Sequence, residues 1–69
     1  MREVRFHREV YEGTCVDSAI GTLGTFGTFE QSEDETHWIV QVTAKTPARE
    51  LRLARELGNF ALGYQLSKD

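Results

Sequence analysis

The stretch His37-Trp38-Ile39-Val40-Gln41-Val42-Thr43-Ala44-Lys45-Thr46-Pro47 decides how this chain is read. Trp38, Val40, Val42 and Ala44 alternate with Ile39, Gln41 and Thr43, the period of two that a half-buried strand shows. The period then breaks at Thr46-Pro47. Threonine suits a helix N-cap, and proline suits the first helical turn, where its missing N–H costs nothing. A helix of about 20 residues is predicted from there to Ser67.

Reading back toward the N-terminus, Ser32-Glu33-Asp34-Glu35-Thr36 is too polar to bury and makes a charged connection that discourages edge pairing. It joins the strand at 37–44 to a second one predicted over 26–31, so the two form a hairpin. Before them, Gly21-Thr22-Leu23, Gly24-Thr25-Phe26 and Gly27-Thr28-Phe29 repeat at period three, which fits neither helix nor strand. These glycines end a helix predicted over about 15–24, with Gly24 or Gly27 available for positive φ. Thr14 is its expected N-cap, with Asp17 three residues on in a capping-box variant. Its Val16, Ala19, Ile20 and Leu23 line one face. At the start, Val4 and Phe6 alternate with Glu3, Arg5 and His7 as a strand, which Val10 and Tyr11 extend past a bend. The order β-α-β-β-α implies one small two-layer α+β domain over 1–69, a three-stranded antiparallel sheet with two helices on one face.

The last helix carries more apolar surface than one small sheet can cover. Leu51, Ala54, Gly58, Ala61 and Gln65 form one stripe, Leu53, Leu57, Phe60 and Tyr64 the next, and Leu62 and Leu66 a third edge. The surplus either packs on the first helix or meets a second body.

Composition removes whole classes of function. The chain has 69 residues, 39% of them hydrophobic and 28% charged, with a formal net charge of −3. A domain of that length buries only about 60% of its unfolded surface, so an oligomer or bound partner is expected. The lone Cys15 cannot close an intramolecular disulfide, which favours a reducing, cytoplasmic setting. No apolar run approaches the roughly 18 residues of a membrane span, and no signal core follows the charged start. The acidic balance argues against a dedicated nucleic-acid binder.

Glu56-Leu57-Gly58-Asn59-Phe60-Ala61-Leu62-Gly63-Tyr64-Gln65-Leu66 resembles the closing segment of the HxsD proteins of the His-Xaa-Ser system. Val4–Phe6, Tyr11, the pair Ala19-Ile20 and the strand Ile39–Val42 extend the resemblance loosely over nearly the whole chain. Gly21 and Gly24 depart from it, since bulkier helix residues are expected there. The resemblance implies an accessory protein working beside radical-SAM enzymes that modify a peptide carrying His-Xaa-Ser repeats.

The glycine run lies at a helix C-terminus, where the dipole repels anions, so it is no phosphate cradle. His7, His37, Cys15 and the acidic run show no metal-ligand spacing, and neither metal nor cofactor is expected. Cys15 falls in the first turn of a helix, which favours its thiolate, yet so short a chain has little room for an enclosed active site. The expectation is a protein without catalysis of its own. Arg49, Arg52 and Arg55 spread over about a third of the last helix's circumference. They suit an acidic peptide or phosphate, or pair internally with Glu50 and Glu56. Asn59, a poor helix former amid apolar neighbours, either bonds a loop backbone, crosses a dimer seam or reads the backbone of a bound peptide. Leu53, Leu57, Phe60 and Tyr64 are the expected apolar anchors for a peptide or a radical-SAM partner enzyme. Strand addition at a free sheet edge is a second mode of capture. The alternative is a homodimeric structural subunit that pairs through the same helix face.

Overall fold

The computed structural model describes residues 1–67. Its elements are β1 (Arg2–His7), α1 (Gly13–Leu23), β2 (Thr28–Glu33), β3 (His37–Thr43) and α2 (Pro47–Leu66), in the expected order. The sheet order is β1-β3-β2, antiparallel throughout, with both helices packed on one face.

Register explains which residues are buried. Val4 opposes Val40, Phe6 opposes Trp38 and Phe29 opposes Val42, which aligns the apolar set of all three strands on the helix side. Val16, Ala19 and Leu23 of α1 and Leu53, Leu57 and Ala61 of α2 close the core above them. The other sheet face is polar and carries Glu3, Gln41 and Glu30 in one row. Gln41 donates to Glu3 across that row at 3.1 Å.

Asp34 fixes the hairpin turn. Its Oδ1 accepts from the backbone N–H groups of Thr36 at 2.8 Å and His37 at 2.7 Å, and from the Thr36 hydroxyl at 3.2 Å. By closing the turn around itself, Asp34 lets β2 run on to Glu33, two residues beyond the expected end. β2 also starts later than expected, at Thr28, because the Phe26 N–H turns back to the Leu23 carbonyl at 3.0 Å. β3 stops one residue short of Ala44.

The first helix begins earlier than its sequence signals indicated. Glu12, extended at φ −83 and ψ 146, occupies the N-cap position, and Thr14 lies inside the first turn. Glu12 lacks a side-chain cap bond, but its N–H is held by Gln65 Oε1 of α2 at 3.0 Å. A contact from α2 thus holds the N-cap residue of α1. No glycine takes positive φ among the described residues, and Gly24 is helical at φ −61. Gly27 is required for space: a Cβ there would sit 2.7 Å from Leu53 Cδ1 and 2.9 Å from the Thr43 carbonyl oxygen. Thr46 caps α2 as expected, its hydroxyl accepting from Arg49 N–H at 3.2 Å above Pro47.

Candidate functional site

Helix α2 sorts the expected partner-binding residues onto different faces. At 100° per residue, Leu53, Leu57 and Ala61 make the stripe turned to the core. Leu57 is wholly buried and Leu53 nearly so, which removes both from the set of surface anchors. They fill the space between the sheet and α1, a demand that the helix pattern left open between core and partner. Tyr64 is a tie between helices. Thr22 Oγ1 donates to the Ser18 carbonyl at 3.0 Å, so the Tyr64 hydroxyl 2.8 Å away donates to Thr22.

The remaining four, Arg49, Arg52, Asn59 and Phe60, share one flank of α2. A groove of about 450 Å³ is lined by Phe26, Arg49, Arg52, Leu53 and Glu56. It continues past Glu56 into a hollow of about 320 Å³ lined by Glu56, Asn59 and Phe60. Phe26 stands at one end, 67% exposed, and Phe60 at the other, 39% exposed. On the far side of Phe26 a further hollow carries Lys45. Asn59 is exposed on this flank, so its amide faces water and is not buried in the fold.

The cations here are uncommitted. Among the described residues, ion pairs join Arg5 to Glu3 and Asp34, Arg8 to Glu33, and the Met1 amine to Glu50, and none involves Arg49, Arg52, Arg55 or Lys45. The Arg52 to Glu56 pairing that their spacing allows is not formed. Arg5 and Arg8 are drawn instead to the acidic hairpin turn, and Arg8 also lies 4.5 Å from the centre of the Trp38 ring. Two carboxyls are held below their usual range. For Asp34 the chief causes are the N–H groups of Thr36 and His37; for Glu50 they are the N-terminal amine and the Ala44 N–H.

The other candidates fall elsewhere. Cys15 is buried at 4% exposure and its thiol is free. His7 and His37 are a cross-strand pair, ring centres 4.9 Å apart, on the polar sheet face. No group of three or more His, Cys, Asp or Glu suited to a metal occurs among the described residues. Among the described residues, no helix is long and apolar enough to cross a membrane.

Phe26 and Lys45 are the site residues that sequence reasoning missed. The signal was present: an aromatic between two glycines, just past a helix end, has no periodic core face to join. It was absorbed into the strand read over 26–31 because that strand was begun where the glycines end the helix. No protein-family model, no curated protein and no solved structure matches this chain.

Proposed function

We propose that this is a non-catalytic accessory protein that binds a peptide or partner enzyme along the outer flank of α2. Its resemblance to the HxsD proteins gives the setting: a radical-SAM system that modifies a peptide with His-Xaa-Ser repeats, in the cytoplasm. The observation that carries the reading is the continuous strip Phe26–Arg49–Arg52–Glu56–Asn59–Phe60, which combines two exposed aromatics with unpaired arginines. Aromatic and arginine side chains dominate the energetics of protein interfaces. The test is an NMR titration of the labelled protein with a His-Xaa-Ser repeat peptide and, separately, with its radical-SAM enzyme. Shifts concentrated at these six residues support the reading, and shifts confined to the polar sheet face oppose it.

A second reading rests on two exposed leucines near the end of α2. Leu62 and Leu66 are exposed, Leu66 by 75%, on the side of α2 away from the core, three and seven residues beyond Asn59 and so beside that end of the strip. A homodimer would cover them about a twofold axis. Sedimentation equilibrium of wild-type and Leu66→Glu protein decides this: a dimer that the substitution converts to monomer supports it, and a wild-type monomer removes it.

A further inference from the structure

The strip on α2 has a charge order along its length, and that order defines an occupant. From Arg49 to Phe60 the helix advances eleven residues, about 16 Å at 1.5 Å per residue. An extended peptide covers that distance with about five residues. The Phe26 end offers the guanidinium groups of Arg49 and Arg52 with Lys45 nearby, against a chain whose net charge is −3. The Phe60 end offers an aromatic ring and the Asn59 amide, with Glu56 between the two ends.

Building on the accessory-protein reading, we infer that the strip binds an extended acidic peptide segment whose carboxylates meet Arg49 and Arg52 and whose following apolar side chain packs on Phe60. Planar guanidinium groups take carboxylates in bidentate pairs, and Phe26 screens those pairs from water on one side. Asn59 supplies both a donor and an acceptor, matching the backbone of an extended peptide. Glu56 sets the limit of the acidic stretch: a carboxylate opposite it is repelled, so the ligand changes from acidic to apolar there. The same carboxylate disfavours a nucleic-acid strand, whose phosphates repeat at every residue.

The probe is a synthetic octapeptide whose glutamates lead into leucine and phenylalanine, titrated into the intact protein and followed by amide shifts. Binding is expected to shift Phe26, Arg49, Arg52 and Phe60 together and to weaken with added sodium chloride. The double variant Arg49→Glu/Arg52→Glu should weaken it by about tenfold or more, while Arg5→Glu, on the polar sheet face, stays within about twofold. All these side chains are exposed, and unchanged far-UV circular dichroism checks that each variant folds. Equal binding of the lysine-for-glutamate peptide, or of the double variant, overturns the inference. Tighter binding of an oligothymidylate of the same length overturns it in favour of nucleic acid. If the octapeptide fails while the radical-SAM enzyme or the His-Xaa-Ser repeat peptide still shifts the strip, only this inference falls; if none of the three binds, the accessory reading falls with it.

Discussion

At the scale of single residues, Asp34 shows how one side chain sets a turn and gives it a pH response. Three donors converge on its Oδ1, and they favour the ionised form. A carboxyl whose pKa is lowered by folding from 3.8 contributes stability that is complete above that value and drains away as pH falls below it. Glu50, lowered from 4.5, acts with the same sign. Asp34→Asn keeps the acceptor oxygen without the charge, so its urea midpoint should fall less steeply than that of wild type below about pH 4. Parallel acid limbs would show that Asp34 does not carry this dependence. Leu57 makes the opposite case, a residue expected at a surface and found in the core. Leu57→Ala should cost about 2–5 kcal/mol in denaturant unfolding. A loss within the range of ordinary surface substitutions, about 0.5 kcal/mol, would return it to the surface. The sequence showed that Leu57 and Phe60 are apolar and nearly adjacent on the helix. Which of them turns inward depends on where α1 lies, and that is a tertiary fact that no local pattern encodes.

At the scale of elements, legibility followed the strength of local signals. The start of α2 was readable because Thr46 and Pro47 act on their own backbone, and the hydroxyl bond to Arg49 N–H is the result. Thr46→Ala should lower stability by about 1 kcal/mol. The start of α1 was misplaced because the residue at its N-cap, Glu12, is held through its N–H by Gln65, some fifty positions along the chain. The glycines divide in the same way. Gly58 lies inside α2 with open space where a Cβ would go, so Gly58→Ala should stabilise the protein by up to about 1 kcal/mol. Gly27→Ala should destabilise it, because the Thr43 carbonyl is backbone and cannot yield as a side chain can. Thermal melts of the two variants should therefore move in opposite directions. A shared direction would mean that the close approach at Gly27 is relieved elsewhere.

At the scale of the whole molecule, the fold is a thin slab. Its Cα extents are 36 × 25 × 14 Å and its radius of gyration is 11.3 Å, close to the value of about 11 Å expected for a compact chain of this length. The 20 residues of α2 span about 30 Å, and the core takes only its Leu53, Leu57 and Ala61 stripe. One flank of that helix therefore has to face water or a partner. The sequence registered this as surplus apolar surface, and the structure redistributes it into a filled core stripe, a cationic strip with an aromatic at each end, and the exposed Leu62 and Leu66. The central claim is that the strip is a binding surface and does not hold the fold together. The most direct measurement is the dissociation constant of the radical-SAM enzyme proposed as partner for wild-type and Phe60→Asp protein, with far-UV circular dichroism of both. The account predicts unchanged circular dichroism and binding weakened by about tenfold or more. Equal affinity for the two proteins, or unfolding of the variant, would contradict it.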